Sequence, residues 1–357
     1  MFTFSGIDLI FPEYIYSEKP PLAVYKLSIN FRKCLGKELK SAMKNRYKPE
    51  GALISSPENR EYISSEEGLK SAASKGMILE GNALLCDSDM RLHVDLYGKR
   101  GIIEKNEAFY DPSGERVNDI AVITRVGKPV CFKILGKDFD RKGEYYRLSR
   151  RDAQMECYCN YVSCLESGDI IDARVTHLES FGAFVDIGCG MPSLLSVDSI
   201  SVSRISHPRD RLSCGINVRC VERSLDSQRG RITVSMRELL GTWEENSRFF
   251  ETGQTVAGIV RSIENYGVFV ELAPNLAGLA ELRDSFCSDL NTGDTVAVYI
   301  KSIIPDKMKI KLVIVDAGGE RASLAPPKYF IDKRTEHISY WKYSPPAAPK
   351  LIETFFE

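Results

Sequence analysis

The sequence lacks the segments that would direct a chain into or across a membrane. No stretch approaches the roughly 18 consecutive apolar residues that a transmembrane helix requires. The first residues, MFTFSGIDLIFPEY, lack the basic start and the apolar run of a secretory signal. These absences predict a cytoplasmic protein with no membrane partner.

Patterns for metal binding and for a disulfide framework are also missing. The 10 cysteines are scattered, and no two of them form a CxxC pair. The one cluster, Cys157, Cys159 and Cys164, does not have the paired spacing of zinc sites. In a cytoplasmic chain of this length, such cysteines are typically reduced and buried. The sequence therefore predicts no metal and no cofactor.

Signatures of catalysis are absent too. The chain contains no P-loop, no GxSxG, no HExxH and no dinucleotide-binding fingerprint followed by a helix. Its 4 histidines are spread along the chain, and no nucleophile or carboxylate pairs with His93 in the sequence pattern. We therefore predict that the protein is not an enzyme.

The chain has no excess of either charge. It carries 48 lysines and arginines against 49 aspartates and glutamates, for a net charge of -1. Proteins that bind nucleic acids often have a large positive excess. Any such binding by this chain must therefore come from local patches.

An internal repeat is the strongest feature that the sequence does have. GDIIDARVTHLESFGAFVDIG, from Gly168, matches GQTVAGIVRSIENYGVFVELA, from Gly253, at a constant offset of 85 residues. A weaker third copy lies upstream and includes Val94–Leu96. Each copy has about five short segments that alternate apolar and polar residues between turns, which is typical of a small antiparallel barrel. The pattern favours a five-stranded Greek-key barrel of the OB-fold type.

The predicted fold is mainly β, with three tandem five-stranded OB-fold barrels of which the first is degenerate. Helices are predicted over residues 31–47, after a capping box at Ser64–Glu67, and in linkers near 151–164 and 236–250. The predicted regions are a helical N-terminal region (1–76), a degenerate barrel (77–151), a barrel (165–238), a helical linker (239–252), a barrel (253–316) and an extended tail (317–357).

The repeat resembles a known family. The segment from Gly168 resembles the S1 domain, the RNA-binding OB-fold repeated in the largest protein of the bacterial small ribosomal subunit. The resemblance lies in Phe181–Asp186, Leu194–Leu195, Gly215–Val218 and Gly230–Ser235. The copy from Gly253 to about Asp316 matches as well. The segment Leu240–Asn246 looks like linker sequence of short S1-repeat proteins from clostridia-like bacteria.

The resemblance implies that one barrel face binds single-stranded RNA. Exposed aromatic rings there would stack on bases, and basic side chains would hold phosphates. The residues implied in the middle barrel are Phe181, Phe184, Arg219, Arg231 and Arg237. Those implied in the last barrel are Tyr266, Phe269, Lys307, Lys309 and Lys311. The middle barrel ranks first because all 9 of its basic residues are arginines, which bind phosphate and stack better than lysines.

The spacing of the two phenylalanines leaves an alternative open. Phe181 and Phe184 are three residues apart, so strict alternation would place them on opposite faces of a strand. A bulge at Gly182 would bring both rings outward. The alternative is that one of the two rings belongs to the barrel core.

Other positions depart from the pattern of the family. The family places a histidine on the third strand, where this sequence has Ser196 in the middle barrel and Glu281 in the last one. The upstream copy has Met90 and His93 at its two aromatic positions. We therefore expect the first barrel to have a structural or protein-docking role.

The most basic segment covers residues 31–48, with 7 basic residues against the single acid Glu38. One interpretation is an RNA-backbone patch that includes Lys37, Lys40 and Lys44. The other is the solvated face of an amphipathic helix.

The function predicted from these features is noncatalytic binding of single-stranded RNA, either mRNA or rRNA, in translation or RNA metabolism. The small ribosomal subunit is a candidate partner. The alternative is a protein-docking or scaffold module on the ribosome or an RNA-processing complex, with little RNA affinity of its own. The near-neutral charge, Ser196 and Glu281 favour that alternative.

Overall fold

The computed structural model describes residues 44–112, 118–226, 231–281, 290–321 and 326–356. Three five-stranded barrels follow one another along the chain, and each closes through its own strand pairing. The prediction of a mainly β protein with three tandem barrels is confirmed. In the part of the chain that is described, every helix falls short of the length and apolarity needed to span a bilayer.

Two short helices precede the first barrel, α1 (Pro57–Ser64) and α2 (Glu66–Ser74). The hydroxyl of Ser65 accepts a hydrogen bond from the Gly68 amide and caps α2 at the predicted position. Leu69 and Ala72 of α2 are buried against the first barrel. Most of the predicted helix over residues 31–47 lies outside the described residues.

The first barrel has strand order β1-β2-β3-β5-β4, which the β1–β4 pair closes. Alternate residues of β2 are buried, as the period-2 pattern predicts. Between β3 and β4 lies a short helix, α3 (Asp119–Ile123). The strands are β1 (Leu79–Cys86), β2 (Leu92–Leu96), β3 (Lys99–Ile103), β4 (Pro129–Asp140) and β5 (Gly143–Ser149).

Helix α4 (Arg150–Asn160) connects the first barrel to the second. The hydroxyl of Ser149 caps it by accepting from the Asp152 amide. Its buried face includes Ala153 and Cys157, which pack into the core of the second barrel.

The second barrel has strand order β10-β8-β7-β6-β9, and the β9–β10 pair closes it. The pairing of β8 with β10 is parallel and the other pairs are antiparallel, as in an OB-fold. Helix α5 (Val197–Ile200) follows β8. The strands are β6 (Ile170–Glu179), β7 (Gly182–Asp186), β8 (Pro192–Ser196), β9 (Asn217–Asp226) and β10 (Arg231–Ser235).

A short linker with helix α6 (Trp243–Ser247) leads into the third barrel. Thr242 and Glu245 form a capping box at its start, and Trp243 is buried in the core of the third barrel. The third barrel has strand order β11-β12-β13-β15-β14 and is also closed. Its strands are β11 (Thr255–Glu264), β12 (Gly267–Ala273), β13 (Leu276–Ala280), β14 (Asp294–Ile304) and β15 (Lys309–Arg321).

The C-terminal residues differ from the extended tail that the sequence predicted. Strand β15 runs to Arg321, and residues 326–356 include a hairpin of β16 (Tyr340–Lys342) and β17 (Glu353–Phe355). Trp341 and Tyr343 are buried in the core cluster of the third barrel, while Phe356 packs in a cluster with Ile170 of the second. These apolar anchors fold the segment back, although its prolines are typical of an open tail. We call residues 326–356 the C-terminal strap.

Buried polar contacts join the first barrel to the second. The Glu50 carboxylate accepts hydrogen bonds from Arg150 Nε at 2.7 Å and from the Cys131 amide at 3.0 Å. The Glu50 amide in turn donates to Asp186 of β7 at 2.7 Å. Arg150 is only 2% exposed, so its charge depends on Glu50 for compensation.

The second and third barrels are joined in the same way. The side-chain amide of Asn275, which is fully buried, donates to the carbonyls of Arg237 and Gly241 at 2.8 Å each and accepts from the Val202 amide at 2.8 Å. Next to it, Arg211 of the second barrel forms a buried ion pair with Glu271 of β12.

We predict that Arg150→Met lowers the free energy of unfolding by about 3–5 kcal/mol, because it leaves the buried Glu50 carboxylate with only the more distant guanidinium of Arg125, at 3.8 Å. Urea denaturation of the full chain measures this. The matched control is Arg151→Met, one position along α4, whose side chain is partly exposed and pairs with Glu107. Its expected effect is below about 1 kcal/mol. Equal losses in the two variants would contradict the role of the buried pair.

A second prediction concerns pH. Burial, together with the nearby Asp169 carboxylate, raises the pKa of Glu222 in β9 to about 7, and in the described structure Oε1 of Glu222 lacks a hydrogen-bond partner. The folded state therefore retains a proton that the unfolded state has released, and the stability it provides is lost as pH rises through 7.

The stability of Glu222→Gln relative to the unchanged chain should therefore rise between pH 5 and pH 8, by about 2 kcal/mol. Urea denaturation at both pH values tests this. Glu264→Gln, at an exposed position of β11, is the control and should show no such difference. If the difference in unfolding free energy between Glu222→Gln and the unchanged chain were the same at both pH values, the raised pKa of Glu222 would be refuted.

Candidate nucleic-acid interface

Two aromatic rings stand on the outer wall of the second barrel. Phe181 lies in the turn before β7 and is 53% exposed, while Phe184 lies within β7 and is half-buried. Their ring centroids are 6.0 Å apart, with the planes at 89°. Neither ring belongs to the barrel core. The alternative of one core ring therefore does not hold.

The local geometry differs from the predicted bulge at Gly182. Because Phe181 precedes the strand, it is not subject to the alternation of β7. The register shift lies in the opposite strand, between Val175 and His177 of β6. Gly182 is needed for another reason, since a Cβ there would lie 2.6 Å from the Leu195 carbonyl oxygen of β8. The glycine lets β7 and β8 approach directly beneath the exposed ring.

Phe184 is the centre of a row of side chains that crosses all five strands. His177 of β6 and Leu194 of β8 are its direct partners on either side. Leu194 pairs with Thr233 of β10, and Thr233 pairs with Ser224 of β9. Because paired residues on adjacent strands share a face, these five side chains form one outer surface. We call this row and Phe181 the second-barrel face.

His177 is a member of this face that sequence reasoning missed. Its ring is 63% exposed and its Nε2 lies 2.7 Å from the Glu179 carboxylate. The position that the family fills with histidine is occupied here by Ser196, whose hydroxyl donates to Ser199 at 2.8 Å. The sequence could have shown this position, because pairing the predicted β6–β7 hairpin places His177 opposite Phe184.

The structure places two of the predicted arginines away from this face. Arg219 is paired with Asp172, five residues along β6 from His177, which corresponds to roughly 16 Å. Its guanidinium donates to carbonyls of the C-terminal strap, including that of Thr335 at 3.1 Å. Arg237 contacts Glu238 at 3.1 Å and Thr354 of the strap at 3.2 Å. Both arginines hold the strap against the second barrel.

Arg231 occupies a different position. It is the first residue of β10, two residues before Thr233 of the second-barrel face. The conformation of its side chain lies outside what the structure describes.

The third barrel repeats the arrangement with lysine added. Tyr266 is 62% exposed and its ring centroid lies 6.2 Å from that of Phe269, at 90°. The row through Phe269 runs from Ser262 to Leu279, Lys311 and Ser302. Lys311 stands where the second barrel has Thr233. We call this row and Tyr266 the third-barrel face.

The other predicted lysines lie close to this face. Lys309 precedes Lys311 by two residues on β15, and both are exposed, while Lys307 is exposed in the turn before that strand. Glu281, which stands where the family has a histidine, forms an exposed ion pair with Lys301 at 3.6 Å. That pair offsets part of its charge.

The first barrel has no comparable aromatic pair at these positions. His93 occupies the place of Phe184 in the row, with Leu85 and Ile102 as its partners. Its Nε2 lies 2.9 Å from the Asp87 carboxylate. Met90 packs partly buried against the core.

The predicted basic patch is only partly described. Lys37 and Lys40 lie outside the described residues. Lys44 contacts the second barrel through an ion pair with Asp172 at 3.3 Å and a hydrogen bond to the Ile170 carbonyl at 3.4 Å. Its amine is therefore engaged with protein groups.

Comparison with known proteins agrees with this architecture. The S1 RNA binding domain family matches residues 165–237, which contain the second barrel. The small ribosomal subunit protein bS1 of Staphylococcus aureus (strain COL) is 28% identical over 233 residues, 64% of this chain and 56% of that protein. The bS1 protein of Leuconostoc lactis is 32% identical over 158 residues, 42% of this chain and 37% of that one.

Solved structures with similarity include GSP13 from Bacillus subtilis, at 26% identity over 20% of this chain and 56% of that one, with a TM-score of 0.20. A multidomain protein with nucleic acid binding domains from Streptococcus pneumoniae covers 67% of this chain and 73% of its own, at 16% identity and a TM-score of 0.22.

The chain spans 56% of the length of the Staphylococcus aureus relative. The family match coincides with the second barrel, and the same five-stranded topology recurs in the barrels on either side of it. The second barrel is therefore an S1 RNA binding domain, and the chain is similar to bS1 of the small ribosomal subunit over 64% of its length.

Proposed function

We propose that the chain binds single-stranded RNA, without catalysis, on the second-barrel and third-barrel faces. The observation that carries the proposal is the edge-to-face pair of aromatic rings, one exposed and one half-buried, at equivalent positions in both barrels. A base that stacks on such a ring gains roughly 1–3 kcal/mol, whatever its identity. The matched family is an RNA binding domain, which supports the same reading.

The edge-to-face arrangement suits a stacking platform. Phe184 lies between His177 and Leu194 and its ring is half-buried, so it has little freedom to turn. Its perpendicular contact with Phe181 supports that ring from one side and leaves the rest of it in solvent. A base can therefore stack without first ordering the side chain.

The two faces differ in how they would hold phosphate. Lys311 lies in the row of the third-barrel face, where the second barrel has the neutral Thr233. Arg219 and Arg237 are engaged by the C-terminal strap. We therefore assign stacking to both faces, and phosphate contact chiefly to the lysines of the third barrel.

The relatives support a proposal for the cellular setting. Proteins named as bS1 of the small ribosomal subunit are similar over 64% of this chain. We propose a role in translation, in the cytoplasm, with mRNA or rRNA as ligand and the small ribosomal subunit as partner.

The alternative is a protein-docking module. It is favoured by the net charge of -1 and by the two arginines that the strap engages. A module of that kind would show no affinity for single-stranded RNA even at low salt, whereas stacking would persist at high salt.

The double substitution Phe181→Ala with Phe184→Ala is expected to weaken binding of a short unstructured RNA at least tenfold, since it removes the stacking platform of one barrel. Fluorescence anisotropy with an end-labelled RNA measures the affinity. The matched control is Phe139→Ala, because Phe139 is 73% exposed on the first barrel and outside both faces. Unchanged affinity in the double variant, or an equal loss in the control, would argue against the second-barrel face.

A reciprocal exchange tests the phosphate assignment. Lys311→Thr gives the third barrel the residue of the second, and the slope of log affinity against log salt should fall by about 0.7. Thr233→Lys makes the opposite change and should steepen the slope by about the same amount. A salt titration from low to high concentration gives both slopes. If neither slope changed, Lys311 would not contact phosphate.

A further inference from the structure

A cavity of about 320 Å³ lies between the linker that follows α6, the C-terminal strap and one end of the third barrel. Phe249 and Phe250 of the linker, Phe330 of the strap and Pro274 after β12 form its apolar walls. Asn246 and Lys328 add polar groups. Its volume is at the lower end of the range for small-molecule sites. It is distinct from both aromatic faces described above.

The aromatic wall is open to solvent. Phe249 is 52% exposed, although it lies only two residues after α6, whose Trp243 is buried in the core of the third barrel. Its ring centroid lies 6.1 Å from that of Phe330, at 63°. The ring of Phe249 therefore lies in the linker with part of its surface in solvent, outside the barrel cores.

Two cations surround this ring. Lys328 Nζ lies 4.2 Å from the ring centroid of Phe249 and 5.5 Å from that of Phe330, and the Arg248 guanidinium carbon lies 5.2 Å from the centroid of Phe249. Within the described ranges, neither Arg248 nor Lys328 forms an ion pair with a carboxylate. The rim of the cavity thus has two positive charges that are not paired with a carboxylate of the described residues.

The floor offers a hydrogen-bond acceptor. Asn246 is 2% exposed, and its side-chain amide nitrogen donates to the carbonyls of Leu240 and Thr242 at 2.9 Å each. Both of its N–H groups are therefore used. Its Oδ1 accepts from no donor in the part of the chain that is described, so it is available to an N–H of a bound molecule.

We propose that this cavity binds one nucleotide of the RNA strand, with the base against Phe249 and Asn246 and the phosphate between Arg248 and Lys328. A flat ring, an amide acceptor and paired cations are the groups that a nucleobase and its phosphate require. The cavity wall at Ala273 lies four residues along β12 from Phe269 of the third-barrel face, which corresponds to roughly 13 Å. One strand can therefore contact both.

That the bound nucleotide belongs to an RNA strand rests on the proposed function. That the cavity can bind a nucleotide rests only on the residues that line it. Two arms separate these cases. In the first, a short RNA that contains photoreactive 4-thiouridine is crosslinked to the full chain, and the attached peptides are mapped. In the second, binding of adenosine monophosphate alone is measured by calorimetry.

We expect crosslinks to the peptide with Phe249 as well as to the two barrel faces. Phe249→Ala should abolish the linker crosslink, preserve those at the faces, and weaken RNA affinity three- to tenfold. Lys328→Gln should weaken affinity to a smaller extent and flatten its salt dependence. Lys350→Gln, at another exposed lysine of the strap, is the matched control and should change neither quantity.

Three other outcomes would overturn the proposal in distinguishable ways. If crosslinks formed only at the two faces and Phe249→Ala did not change them, the cavity would not be an RNA-binding site, while RNA binding by the barrels would still hold. Absence of any RNA crosslink, with adenosine monophosphate bound in a manner that Phe249→Ala abolishes, would overturn the RNA source and the proposed function together. If neither the RNA nor adenosine monophosphate bound, both the nucleotide site in the cavity and the proposed RNA binding would be refuted. Thermal melts of each variant check that it folds.

Discussion

Barrel closure is the constraint on which both aromatic faces depend. When five strands close, every second side chain must point into the interior, so the intervening ones are forced outward. Phe184 and Phe269 occupy outward positions of equivalent strands, and each has a polar partner on one side and a leucine on the other. The turn residues Phe181 and Tyr266 then meet them edge to face. The geometry of the face therefore follows from the register of the barrel, and a slip of one residue would bury the ring.

Contacts between the barrels include buried polar groups as well as apolar packing. Glu50 with Arg150 joins the first barrel to the second, and Glu271 with Arg211 joins the second to the third. Such pairs add little net stability, because removing charge from water offsets the attraction. Any other docking of the barrels would leave these charges unpaired. We infer that they select one arrangement of the barrels.

The C-terminal strap divides the surface into covered and open regions. It engages Arg219 and Arg237 on the second barrel and contributes apolar anchors to the third. It leaves the aromatic faces open, because Phe181 and Tyr266 remain among the most exposed apolar side chains. The same strap brings Phe330 and Lys328 to the linker, where they complete the cavity beside Phe249. The strap therefore keeps Arg219 and Arg237 away from the second-barrel face, and it completes the cavity as a second candidate site.

The sequence alone determined the features that depend on local pattern: three repeats with alternating strands, the cap at Ser65, and rings at Phe181 and Phe184. Alternation and capping act over a few residues, so they are visible without a fold. Only the tertiary structure decided the partners that are distant in the chain. Arg219 lies under a strap more than a hundred residues later, and that strap folds because a few aromatic anchors outweigh its prolines. Contacts of this kind have no local period, and sequence spacing does not reveal them.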